Sequence, residues 1–198
     1  MGLRLTVALA LLACGTLPLN AQWKKYDVKA GIITYETVTM EARVPVSGKV
    51  IVYFDRYGSM ECKETYVGGI LKESTICDGR MLYHVVHDQR TVFKLGPASK
   101  GTEVRFDSDT AVALDRSEGR IKMLPSTTIA GKLCQAYEQS GPQGKTKYAG
   151  WDHILFRLDR EVPDNLYSLR AVSFVETNQV PESKFVPPPW YTERMPHF

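Results

Sequence analysis

The stretch from Ser59 to Gly79 reads SMECKETYVGGILKESTICDG, and its punctuation decides the fold class. Two runs, Ser59 to Val67 and Ile70 to Cys77, carry the Thr, Tyr, Val and Ile content that suits a pleated, half-buried surface. Between them lies Gly68-Gly69, a pair that accepts the positive φ angles of a tight hairpin turn. Asp78-Gly79 is a second turn signal of the same kind, and it leads into Met81 to His87. A break at Asp88 to Arg90 then precedes Thr91 to Leu95. Upstream, Gly31 to Glu41 has strand composition, Pro45 to Gly48 breaks it, and Lys49 to Phe54 resumes it before a turn at Tyr57-Gly58. Consecutive short strands joined by tight turns imply an antiparallel meander.

The loop at Gly68-Gly69 also sets a register. A two-residue loop would oppose Glu64 to Glu73, an unfavourable like-charge pair, and leave Cys62 and Cys77 as diagonal neighbours. A four-residue loop, Gly68 to Leu71, would pair Val67 with Lys72 and set Cys62 directly across from Cys77. The longer loop and a Cys62–Cys77 disulfide are therefore expected, with Cys134 left as an odd buried thiol. Period-2 spacing puts Val50, Val52 and Phe54 on one side of their strand. That side is expected to share a buried face with Tyr83 and Val85.

Past Thr91 to Leu95 the pattern changes. Gly96 to Gly101 reads as a loop. Asp109 to Glu118 reads as a short helix, capped by Ser108 or Asp109 and ended by Gly119. Leu133 to Gln139, Lys147 to Trp151 and Ser168 to Thr177 return to strand composition. The tail, residues 181–198, contains Pro187-Pro188-Pro189-Trp190, whose prolines have no N–H to donate. It is expected to run as an extended strap rather than as a sheet strand. Several strands carry apolar residues on both faces, which suits a sheet with one side against a helix and the other lining an interior.

The N-terminus has the order of parts of a secretory signal: Arg4, then the apolar run Leu5 to Ala13, then the exit residues Pro18, Asn20 and Ala21. The run falls short of the roughly 20 residues that a membrane-spanning helix needs. Residues 1–21 are read as a signal peptide and residues 22–198 as one exported β-rich domain, periplasmic or associated with the outer membrane. Leu11-Leu12-Ala13-Cys14-Gly15 also resembles a bacterial lipobox. Lipidation at Cys14 would replace cleavage after Ala21 and hold the domain on a membrane surface.

Composition narrows the function. In 198 residues, 43% are hydrophobic and 24% charged, and the formal net charge is +3. These are ordinary globular values, and the basic residues alternate with acids instead of forming a stripe. Nucleic acid is thus not an expected partner. His84 and His87 are three apart in a strand and point to opposite faces, so they do not form a metal pair. No nucleophile elbow, phosphate loop or dinucleotide-binding turn is present. Catalytic residues, metal ligands and cofactors are not expected, and a secreted hydrolase is the least favoured reading. The chain has ten Tyr, seven Phe and three Trp. These rings either fill a core or line an apolar cavity if the sheet curls around one.

Val50-Ile51-Val52-Tyr53-Phe54-Asp55 with Tyr57-Gly58 is one familiar stretch. Thr127-Thr128-Ile129-Ala130-Gly131-Lys132-Leu133-Cys134-Gln135-Ala136-Tyr137 is another, followed by Trp151 and Ile154-Leu155. In that order, after a signal segment, they resemble periplasmic proteins of the Bacteroidetes type that are similar to the LolA/LolB lipoprotein-carrier superfamily. The resemblance implies a half-open antiparallel β barrel curved around one or more helices, with an apolar concave face that holds acyl chains. A lipid or other apolar ligand, and an envelope protein, are the partners it implies. A structural module of the envelope with a filled interior is the alternative.

Overall fold

The computed structural model describes residues 24–41, 44–98, 120–141, 144–162 and 165–195. The expected helix at 109–118 and the signal segment, with Cys14, lie outside them. The chain forms the strands β1 (Gly31–Glu41), β2 (Val44–Asp55), β3 (Met60–Val67), β4 (Ile70–Cys77), β5 (Met81–Val86) and β6 (Thr91–Pro97). After the intervening segment come β7 (Ile121–Ile129), β8 (Lys132–Gly141), β9 (Gly144–Trp151), β10 (Ile154–Val162), β11 (Asn165–Glu176) and β12 (Thr192–Arg194). All belong to one unclosed sheet, in the order β12-β6-β5-β4-β3-β2-β1-β11-β10-β9-β8-β7. Every pairing is antiparallel except that of β12 with β6. The half-open antiparallel sheet expected from the sequence is the architecture observed.

Two meanders compose this sheet, β1 to β6 and β7 to β11, and they meet where β1 pairs with β11. Proline explains where sequence reading stopped short. Pro45 falls inside β2, opposite Met40, although Pro45 to Gly48 reads as a break. The neighbouring β3 ends at Val67 opposite Gly48, so residues 44–47 of β2 have no partner on that side. Proline is tolerated there because no ladder bond is lost. Pro125 sits in β7, at the sheet's far edge, where the register with β8 shifts between Leu124 and Thr127. The tail is also more structured than a strap. It contains a short 3-10 turn, Glu182–Phe185, and then β12, a sheet strand.

One bulged residue governs the geometry of the first meander. The β3–β4 loop is the two-residue turn, with Val67 paired to Ile70 and Gly68 and Gly69 at φ 58° and 78°. Between Tyr66↔Leu71 and Thr65↔Glu73 the register shifts, leaving Lys72 as the extra residue. The bulge removes the Glu64–Glu73 opposition that made the tight loop unattractive, since Glu64 now faces Ser74. It also turns over every residue beyond it. Cys62 pairs with Ile76 and Cys77 with Glu61, so the two thiols lie on opposite faces and are not joined in a disulfide. The expected disulfide and four-residue loop are both corrected by this single insertion.

The same inversion splits the expected buried face. Val50, Val52 and Phe54 share a side with Ile33 and Tyr35 of β1. Tyr83 follows the ladder Tyr53–Cys62–Ile76–Tyr83 onto the other side, and Val85 follows Ile51–Glu64–Ser74–Val85. Without Lys72 in the bulge, all five would have shared one face. The two largest cores among the described residues therefore lie on opposite faces and use different parts of the sheet, and Ile121 and Tyr137 form a third, small cluster.

Candidate functional site

The larger core covers one face of β1, β2 and β8 to β11. Ile33, Tyr35, Val50, Val52, Phe54, Cys134, Ala136, Ala149, Ile154, Phe156, Leu169 and Ala171 contribute to it, with Tyr26 and Val28 from the N-terminal segment. Phe54 is 0% exposed. Its ring packs over Gly31, where an added Cβ would lie 2.7 Å from Phe54 Cζ. The Tyr26 ring packs on Phe54 with centroids 4.6 Å apart. Tyr35 reaches two strands across, donating its hydroxyl to the Leu155 carbonyl at 2.7 Å. Burial pushes its phenol pKa up.

A left-handed turn pins the N-terminal segment to this core. Tyr57 has φ 60° and Gly58 φ 83°. The Tyr57 carbonyl accepts from the N–H groups of Lys25 (2.8 Å) and Tyr26 (3.1 Å), and its own N–H donates to the Lys29 carbonyl at 2.8 Å. Glu61 completes the join, accepting from the Lys25 ammonium (2.8 Å) and the Tyr26 hydroxyl (2.7 Å). Backbone strain at Tyr57 thus has a structural use.

At the same end of the sheet, three rings form an aromatic corner. Trp151, Phe156 and Phe174 meet edge to face, with centroids 5.8 to 6.4 Å apart. They pack against the larger core. The β7–β8 turn, with Ala130 at φ 46° and Gly131 at φ 79°, turns the chain so that Lys132 lies over this corner. Its ammonium sits 3.9 Å from the Trp151 centroid and 5.3 Å from that of Phe174. Lys132 interacts electrostatically with Asp152, whose other charged neighbours are Asp27, His153 and Glu176, and His153 Nε2 lies 3.3 Å from Asp27 Oδ2. Burial, and then Asp27, push the Asp152 carboxyl pKa up, while Lys132 and His153 pull it back.

The smaller core lies on the opposite face of β3 to β6 and is closed by the C-terminal segment. Val180 and Phe185, each 1% exposed, cover Cys62, Ile76, Val85 and Val92. Polar contacts hold the segment at three points. The Val180 N–H donates to Asp55 Oδ2 at 3.1 Å. Lys184 Nζ meets Glu64 Oε1 at 2.6 Å and lies over the Tyr53 ring at 4.1 Å. The His87 ring bridges the Ser74 hydroxyl (2.9 Å) and the Tyr191 hydroxyl (3.1 Å).

Of the residues singled out from sequence, Val50, Val52 and Phe54 thus belong to the larger core, whereas Tyr83 and Val85 belong under the C-terminal segment. His84 and His87 are on opposite faces, as their spacing requires, and no group of three His, Cys, Asp or Glu that could hold a metal occurs among the described residues. Sequence reading did not find the Lys132–Trp151–Phe174 contact as a unit. The signal was present, since Ala130-Gly131 marks a turn that places Lys132 at the start of a strand, but nothing in one sequence pairs it with Trp151. Surface clefts also occur among the described residues. One, of about 420 Å³, lies between Glu36, Lys49, Tyr66 and the Gly68-Gly69 turn. A second, of about 180 Å³, lies between Arg56, Asn178 and Glu182.

This geometry defines an open half-barrel sheet with an apolar face. No protein-family profile and no curated protein matches the chain. Among solved structures it is similar to an uncharacterized conserved protein from Thermus thermophilus, with TM-score 0.60 and 10% identity over 89% of this chain and 96% of that one. That likeness is one of fold. MucB aligns with TM-score 0.49 and 10% identity, over 87% of this chain and 62% of the MucB chain. A LolA superfamily protein from Nitrosomonas europaea aligns with TM-score 0.41 and 9% identity, over 83% of this chain and 93% of that one.

Proposed function

We propose that the protein is an exported, non-enzymatic binding protein of the cell envelope that holds a lipid or another apolar ligand against the larger apolar face. The observation that carries this reading is the continuity of that face, which runs across β2, β1, β11, β10, β9 and β8 of a sheet that never closes. An unclosed sheet can splay at its edges and admit a chain between its apolar walls, whereas a closed barrel has no such freedom. The signal-like N-terminus and the sequence resemblance to periplasmic lipoprotein carriers support an envelope location.

A second reading, a structural or interaction module without a ligand, is favoured by the tight contact of Phe54 with Gly31 and its complete burial. Native mass spectrometry and solvent extraction of protein purified from envelopes, without detergent, separate the two. Stoichiometric co-purifying lipid supports the carrier. A ligand-free protein that takes up no acyl chain from added vesicles supports the module.

A further inference from the structure

We infer that the apolar ligand carries an ammonium head group, received by the ring faces of Trp151 and Phe174 where the Lys132 ammonium now lies. This rests on the binding reading above and names the chemical class of the ligand.

The protein supplies the precedent with its own side chain. The Lys132 ammonium occupies the ring faces at 3.9 and 5.3 Å, within the range of a cation–π contact. The three rings meet edge to face, so their mutual packing helps to set the box. Its walls are continuous with the larger core, so a chain lying along that core would end at the box. The charge beside the box favours a cation, because Asp152 interacts electrostatically with Lys132 and has Asp27 and Glu176, together with His153, as its other charged neighbours. His153 is already engaged with Asp27. Aromatic faces beside carboxylates recognise alkylammonium groups, whereas a carboxylate or phosphate head would meet repulsion from them. Lys132 is then a resident occupant, and an incoming ammonium group must compete with it.

The test uses the mature chain and three amphiphiles of equal length, dodecyltrimethylammonium, dodecanoate and dodecanol, below their micellar concentrations at one ionic strength. The Trp151 indole resonance reports binding. Dodecyltrimethylammonium should bind at least tenfold more tightly than dodecanoate. Lys132→Met should strengthen the ammonium amphiphile severalfold and leave dodecanol unchanged. Asp152→Asn, at an exposed position that folding tolerates, should reduce the preference.

Equal affinity for the three, or a preference for dodecanoate, would overturn the head-group assignment and leave the apolar-ligand reading standing. Binding of none would overturn both. Tetramethylammonium is the last arm. A shift of the Trp151 resonance at concentrations where the amphiphile binds no better would keep the ammonium chemistry and transfer it from a lipid to a free amine.

Discussion

The Lys184 ammonium lies 2.6 Å from a Glu64 carboxylate oxygen whose side chain is only 9% exposed. Glu64 sits on β3 and Lys184 on the C-terminal 3-10 turn, so this pair ties the chain's last segment to the middle of the sheet. Burial works to lower the Lys184 pKa, but hydrogen bonding to Glu64 and Tyr53 holds it above the usual lysine value. Leaving the buried Glu64 carboxylate without its charged partner costs about 1.5–3 kcal/mol. Lys184→Met should therefore lower the urea midpoint by that equivalent. Glu64→Gln, which keeps an acceptor for the Tyr66 hydroxyl, should cost less. Equal midpoints for wild type and Lys184→Met would mean that the pair contributes nothing.

Phe54 is the second target. With no exposed surface and a ring seated on Gly31, it has the environment of a packed core residue. Phe54→Ala should cost about 3–5 kcal/mol, measured by denaturant unfolding. Gly31→Ala should destabilise by about 1–3 kcal/mol through the reverse fault, a methyl group forced against the same ring. A small loss for Phe54→Ala together with weakened acyl-chain binding would show that the ring borders an open cavity.

The cysteines give a chemical readout of the Lys72 bulge. Cys62 is 2% exposed. Burial, followed by the nearby Glu64 charge, pushes its thiol pKa up to about 12. Cys77 is half-buried on the other face, with its thiol directed at the Ser59 carbonyl. In native protein at pH 8, iodoacetamide should modify Cys77 well before Cys62, and Cys62 should react only in urea. Non-reducing peptide maps should recover both as separate thiols, and a linked Cys62–Cys77 peptide would refute the register.

His87 should make the tail's attachment sensitive to acid. Its pKa is lowered by burial, against the opposing pull of Glu64 and Asp88, while Ser74 and Tyr191 hold its two ring nitrogens. A histidine whose folded pKa lies below the unfolded value of about 6.5 is protonated more readily in the unfolded chain. Its contribution is therefore complete above about pH 6.5 and is lost as the pH falls through the depressed folded value. Unfolding midpoints measured from pH 7.5 to 5 should fall, and His87→Gln should flatten that part of the profile. An unchanged slope in the variant would assign the acid sensitivity to the carboxylates.

How much of this was legible in the sequence depends on the residue. Gly68-Gly69 and Asp78-Gly79 announce their turns because few other residues take up positive φ so cheaply. The strands on either side follow from composition. Pro45 misled because a proline's cost depends on whether a neighbouring strand needs its missing N–H, which is a fact of topology. Lys72 was invisible. Nothing in Leu71-Lys72-Glu73 distinguishes a bulged lysine from a paired one, yet that one residue decided the fate of Cys62, Cys77, Tyr83 and Val85. The Lys132 contact was half legible, since its turn could be read and its partner Trp151 could not.

The order of strands has a kinetic consequence. Within each meander, strands pair with their immediate successors, and such local pairings form early. The β1–β11 pairing instead joins residues as distant in sequence as Gly31 and Glu176. It must wait for a large loop to close. Because β11 leads straight into the C-terminal segment, Val180, Lys184 and Phe185 reach their seats only once that pairing exists. Their contacts should therefore be absent from the folding transition state. Substitutions there should speed unfolding and leave the folding rate almost untouched, so this last segment would set how long the folded protein survives.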